Sequence, residues 1–140
     1  MIKKLNWGLL STARINDKII PAIKKSKYAN LYAVASNQNK KIKNYAEIRK
    51  IPKYYKSYDE LIKDDNIDII YISTPNHLHA KWISEAVKQK KHVFCEKPIT
   101  ITINEINKIK KLVSKYGVIV QEATMMRFHP QTMYIKKLLK

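Results

Sequence analysis

The stretch Ile67-Asp68-Ile69-Ile70-Tyr71-Ile72-Ser73-Thr74-Pro75-Asn76-His77-Leu78-His79 decides the fold. Residues 67–72 are apolar except for Asp68 and rich in isoleucine, which reads as a strand buried on both faces, as central parallel strands are. A polar turn follows. Residues 81–90 then carry Trp82, Ile83, Ala86 and Val87 at helical spacing, and His92-Val93-Phe94-Cys95 is the next strand. Strand, polar turn, helix and strand in this order form the unit of a parallel sheet.

The same unit recurs outward in both directions. Towards the amino terminus, residues 5–10 read as a strand and residues 13–25 as a helix carrying Ile15, Ile19, Ile20 and Ile23, with Pro21 marking a late start or a kink. Residues 31–35 form a second strand, residues 40–49 a polar helix, and Tyr54-Tyr55 a minimal strand. Ser57 and Glu60 have capping-box spacing and open a short helix. Towards the carboxyl terminus, Thr102 and Glu105 repeat that spacing ahead of Ile106, Ile109, Leu112 and Val113, and Gly117 stands where that helix ends. Residues 118–121 are the last strand, and Pro130 starts a final helix over residues 131–139. The expected fold class is therefore α/β: a doubly wound parallel sheet of the Rossmann dinucleotide-binding kind, since right-handed crossovers leave few other topologies.

Composition agrees. The 140 residues are 45% hydrophobic, enough for one core and too apolar for disorder. Lys and Arg number 28 against 11 Asp and Glu, a net charge of +17, which raises the question of nucleic acid or an anionic membrane. Arg14, Arg49 and Arg127 are the only arginines, and Lys, Ile, Asn and Tyr dominate the chain, residues that share AT-rich codons. The charge reads as compositional bias and solvated surface lysine, so neither a specific nucleic acid nor a membrane partner is expected. No apolar run approaches the ~20 residues that span a bilayer. A single cysteine, Cys95, excludes an internal disulfide framework, and the expected address is cytoplasmic.

In doubly wound sheets, ligands sit outside the carboxyl ends of the strands. The residues falling there are Ser11, Thr12 and Ala13; Ser36, Asn37 and Gln38; Ser73 to His77; Glu96, Lys97 and Pro98; and Glu122 with Ala123. The first turn, Ser11-Thr12-Ala13-Arg14-Ile15-Asn16, stands where a G-x-G-x-x-G phosphate loop would be and has none of its three glycines. Small side chains at Ser11 and Ala13 permit close backbone approach, and the Ser11 and Thr12 hydroxyls offer donors to phosphate; an ordinary strand-to-helix turn accounts for the segment equally well. After the second strand, Ser36-Asn37-Gln38-Asn39-Lys40 lacks the acid that would bind the ribose 2′-hydroxyl of NAD, which favours the 2′-phosphate of NADP. His77, His79, His92 and Cys95 are zinc-ligand types, but His92 and Cys95 sit roughly 10 Å apart along one strand, and no metal site is expected.

Three segments carry a resemblance: Thr74-Pro75-Asn76-His77-Leu78-His79, Cys95-Glu96-Lys97-Pro98, and Met126-Arg127-Phe128-His129-Pro130. Together with Trp7 to Ile15 they resemble the glucose–fructose oxidoreductase/inositol dehydrogenase/MocA (Gfo/Idh/MocA) family of NAD(P)-dependent oxidoreductases, in particular its branch with the dihydrodiol dehydrogenases. The resemblance implies an enzyme acting on CH–OH groups of sugars, polyols or diols. Lys97 matches the family's catalytic lysine, hydrogen-bonded to the substrate hydroxyl and the nicotinamide ribose. It also implies a cofactor cleft shaped by Ser11, Thr12, Ala13, Arg14, Ile15, Ser36, Asn37, Thr74, Pro75, Asn76, His79, Glu96, Lys97 and Arg127, with His129 beside Arg127, and a cis peptide before Pro98.

Family members are more than twice this long, with a second α/β domain. The expected organisation is a dinucleotide-binding domain over residues 1–125, and over residues 126–140 the start of a helix leading into that second domain. The alternative is a non-catalytic nucleotide-binding or interaction module from a truncated or split gene. Apolar surface left where a second domain would pack leads to an expectation of homo-oligomers.

Overall fold

A computed structural model describes residues 3–37 and 41–139. Among them the elements are β1 (Leu5–Leu10), α1 (Asn16–Lys25), β2 (Ala29–Ala35), α2 (Ile42–Ile48), β3 (Lys53–Tyr55), α3 (Tyr58–Ile62), β4 (Ile69–Ile72), α4 (His79–Lys88), β5 (His92–Cys95), α5 (Ile103–Tyr116), β6 (Val120–Glu122) and α6 (Pro130–Leu138). Short 3-10 turns precede α4 (Asn76–Leu78) and α6 (Met125–Phe128). The described strands make one sheet in the order β3-β2-β1-β4-β5-β6, every pair parallel. This is the doubly wound order, with the reversal between β1 and β4.

Strand alternation distributes the core over two faces. Leu10, Ile70 and Ile72 point to the side covered by α3, α4 and α5, where Leu61, Trp82, Ile83 and Val87 close over them. Leu9, Val34 and Tyr71 point to the opposite side, against Ile20 and Ile23 of α1 and Ile42 and Ala46 of α2. Gly8 gives α3 room against β1: a Cβ there would meet Leu61 Cδ2 at 2.9 Å and Ile67 Cδ1 at 3.0 Å, so the ends of those two side chains would have to shift.

The local signals behave as their chemistry dictates. Thr102 and Glu105 form a complete capping box at the start of α5, and Gly117 ends that helix in the left-handed region at φ 66°. At α3, Ser57 accepts from the Glu60 N–H, but the Glu60 carboxylate turns to the Lys56 N–H, so the box there is only half formed. Helix α1 starts late, at Asn16, and keeps Pro21 inside it, which sacrifices the bond to the carbonyl of exposed Asp17. Helix α4 begins at His79, two residues before its apolar stripe announces it, because the 3-10 turn Asn76–Leu78 leads directly into it. Lys40, placed by the sequence in the second helix, lies outside the described residues, as do Gln38 and Asn39.

Candidate functional site

The carboxyl edge of the sheet is where β1, β4, β5 and β6 release their chains. After β1, Ser11 has φ 119°, a conformation that favours glycine. Ser11 thus occupies the first glycine position of the fingerprint in a glycine-like backbone. Its side chain is buried: the hydroxyl lies 2.8 Å from Ser73 Oγ and 3.0 Å from the Ser73 carbonyl, and accepts from the Ala13 N–H. Asn16, fully buried, completes the network. Its amide N–H donates to the Ser11 carbonyl and to Tyr45, and its oxygen accepts from the Ser73 hydroxyl. Burial raises the pKa of the Tyr45 hydroxyl, keeping it neutral within this cluster.

This network corrects one expectation. The Ser11 hydroxyl is spent inside the protein and does not face a phosphate. It ties the loop to the end of β4, which leaves the half-buried Thr12 hydroxyl and backbone groups as the loop's remaining donors. The N–H groups of Thr12, Arg14 and Ile15 have no backbone acceptor among the described residues, and Arg14 is exposed beside them. Hydrogen-bond donors at the entrance of α1 form the usual seat for an anion. Across the edge, Thr74 Oγ1 is buried with no partner among the described residues, while Pro75 and Asn76 are exposed. After β2, Ser36 is buried, and Asn37 is exposed with its amide oxygen accepting from the Tyr58 N–H.

After β5 comes the turn of Glu96, Lys97, Pro98 and Ile99, with the expected cis peptide between Lys97 and Pro98. The buried Tyr71 hydroxyl donates to Glu96 at 2.5 Å; burial and then that carboxylate raise the tyrosine's pKa strongly. Lys97 is exposed, with no hydrogen-bond or ion-pair partner among the described residues. Burial pushes the neighbouring Cys95 thiol up to about 12, so it serves as an apolar core group.

His79 departs from the expected set. The resemblance implies a histidine facing the cofactor, but its ring is fully buried. The ring nitrogens lie 2.8 Å from the Pro98 carbonyl and 2.8 Å from the Thr74 carbonyl, so the side chain braces the two loops from beneath and is out of a ligand's reach. Arg127 is exposed on the last 3-10 turn, which contributes Phe128 rather than Arg127 to the nearby cleft.

That cleft, about 450 Å³, is bounded by Ile15, Lys18 and Ile19 on the α1 side, by Tyr71 and Phe94 of the sheet with Glu96 just beyond β5, and by Met125, Phe128 and His129. It is mainly apolar with a few polar groups, the usual make-up of a small-molecule site. Lys18, Tyr71, Phe94 and Met125 were not singled out by the sequence. Their periodicity marks them only as helix or core residues, and nothing in a strand pattern says which buried ring floors a cleft.

The fold and this edge define a dinucleotide-binding domain. Residues 5–124 match the Gfo/Idh/MocA oxidoreductase family, NAD-binding Rossmann fold, and the chain belongs to that family. It is 39% identical over 127 residues to D-xylose 1-dehydrogenase (NADP(+)) 2 of Haloferax volcanii, covering 90% of this chain and 39% of that one. It is 34% identical to trans-1,2-dihydrobenzene-1,2-diol dehydrogenase of Xenopus laevis, covering 95% of this chain and 41% of that one. Among solved structures, a 3-ketoreductase from Actinomadura kijaniata in complex with TDP-benzene and NADP superposes with TM-score 0.90 at 26% identity, over 98% of this chain and 43% of that one. The chain thus spans about two-fifths of these relatives' length. Its family is one of NAD-binding oxidoreductases, and both curated relatives are named as dehydrogenases. No described helix is long and apolar enough to cross a membrane.

Proposed function

We propose that this chain binds a nicotinamide dinucleotide along the carboxyl edge, NADP(H) in preference to NAD(H), and serves oxidation of CH–OH groups in a sugar, polyol or diol. The residues fit the group. The N–H groups of Thr12, Arg14 and Ile15 and the Thr74 hydroxyl, without acceptors among the described residues, are donors suited to a ligand. The acid-free Ser36-Asn37 turn, with exposed Lys41 beyond it, suits a 2′-phosphate. When bound, the nicotinamide accepts or donates the hydride. The protein's part is to hold substrate oxygen and dinucleotide together and to stabilise negative charge at that oxygen.

The observation that carries the assignment is Lys97: an exposed ammonium, unpaired among the described residues, on an anchored turn at the same sheet edge as the phosphate loop. An ammonium so held stabilises a developing alkoxide and moves a proton at the substrate oxygen. Residues 126–139 expose Met126, Phe128, Tyr134 and Leu138, an apolar surface suited to a following α/β domain that would supply substrate contacts, or to a second copy of the chain.

The test uses the chain fused to the second domain of a family relative. Lys97→Ala should leave dinucleotide affinity within about twofold and lower turnover by about 100-fold or more. Undiminished turnover in that variant would overturn the role of the lysine.

A further inference from the structure

His79 of α4 and Glu122 of β6 act on one and the same peptide group. The Pro98 carbonyl lies 2.8 Å from His79 Nδ1, and the N–H of that same peptide, on Ile99, donates to Glu122 Oε1 at 2.9 Å. Both anchors are themselves held. His79 Nε2 lies 2.8 Å from the Thr74 carbonyl, and Glu122 Oε2 accepts from the Thr124 hydroxyl at 2.8 Å. A peptide plane gripped at its oxygen and at its nitrogen by side chains of two different elements cannot rotate about either neighbouring bond without breaking a contact. Residues of the turn itself make neither contact. The Thr124 hydroxyl and then the Ile99 N–H lower the Glu122 pKa, so the acceptor is the carboxylate.

We propose that His79 and Glu122 are positioning residues for Lys97, clamping the Pro98–Ile99 peptide and so fixing the backbone from which the lysine projects, with His79 tying that turn to the Thr74 segment. The proposal rests on the dinucleotide reading given above. It makes the Lys97 turn and the Thr74 loop one rigid unit, so a ligand seated on one loop meets a lysine whose backbone is already placed.

Two NMR readouts on the isotope-labelled chain test it: the hydrogen-exchange rate of the Ile99 amide, and the shift of the Lys97 amide on saturation with NADPH or NADH. In Glu122→Ala the Ile99 amide should exchange about tenfold faster or more, and the Lys97 response to dinucleotide should fall by about half or more. Glu122→Gln keeps an acceptor oxygen and should restore both to within about twofold of the wild type. His79→Phe keeps a ring and loses both ring nitrogens, and should reduce the Lys97 response similarly. Wild-type values in Glu122→Ala, or equal damage in Glu122→Gln, would overturn the proposal. If Glu122→Ala does not fold, Thr124→Ala replaces it: it frees one carboxylate oxygen and should speed Ile99 exchange by about threefold, and an unchanged rate refutes the clamp. A wild-type chain that responds to neither dinucleotide refutes the binding reading, and with it any role for the clamp at a bound dinucleotide, while Ile99 exchange still reports separately whether the clamp itself exists.

Discussion

Ser11 and Ser73, 62 positions apart in the chain, bring their hydroxyl oxygens within 2.8 Å beneath the loop that leads into α1. The contact joins the ends of β1 and β4, the parallel neighbours between which the strand order reverses. Ser11 is held there at φ 119°, where a Cβ is unfavourable. Two opposing quantities meet at this residue: backbone strain of about 1–3 kcal/mol and hydrogen bonds worth about 1 kcal/mol each.

Separating them gives the first prediction. Ser11→Ala keeps the strained Cβ and loses the hydroxyl, so it should lower unfolding free energy by about 1–3 kcal/mol. Ser11→Gly loses the hydroxyl and the strain together and should be about 1 kcal/mol more stable than Ser11→Ala. Urea unfolding of both variants measures the order. An alanine variant as stable as the glycine variant contradicts the strain.

A second prediction concerns cofactor choice. Asn37→Asp introduces a carboxylate at the end of β2 while keeping an oxygen for the Tyr58 N–H. Fluorescence titration should find the wild type tighter for NADPH, and the variant shifted towards NADH by about tenfold, the value of one charge-assisted hydrogen bond together with repulsion of a 2′-phosphate. Equal affinities in both proteins would remove the argument from the acid-free turn.

The third follows from Glu122. Its folded pKa lies below the ordinary 4.5, chiefly through the Thr124 hydroxyl and then the Ile99 N–H. A carboxyl depressed on folding contributes stability above its unfolded pKa and loses it as pH falls through the folded one. The stability margin of the wild type over Glu122→Gln should therefore be constant near neutrality and shrink below about pH 4.5. Unfolding curves taken from pH 7 down to the acid limit of folding read this directly; a margin that grows on acidification has the wrong sign.

The net charge of +17 supplies the fourth. Binding to duplex or single-stranded DNA should be sequence-blind and should vanish near physiological salt, because scattered lysines release counterions without reading bases. Anisotropy measured across a salt series checks it. Submicromolar affinity at physiological salt would count against a purely solvated lysine surface.

The sequence by itself determined the sheet and its edge. The isoleucine-rich run at residues 69–72, helical stripes such as Trp82, Ile83, Ala86 and Val87, and end signals such as Thr102 with Glu105 and Gly117 are local, because burial, helix periodicity and capping act within a few residues. They place Ser11, Thr74 and Lys97 at one edge without reference to any tertiary contact. Only the tertiary structure decided what each does there. Whether the Ser11 hydroxyl faces a ligand or Ser73, whether His79 touches a cofactor or braces a carbonyl, and which carboxylate meets the Ile99 N–H depend on partners far away in sequence. Hydrogen bonds are directional at the scale of an ångström, and hydrophobic patterning has no such direction, so it cannot say which polar group turns inward.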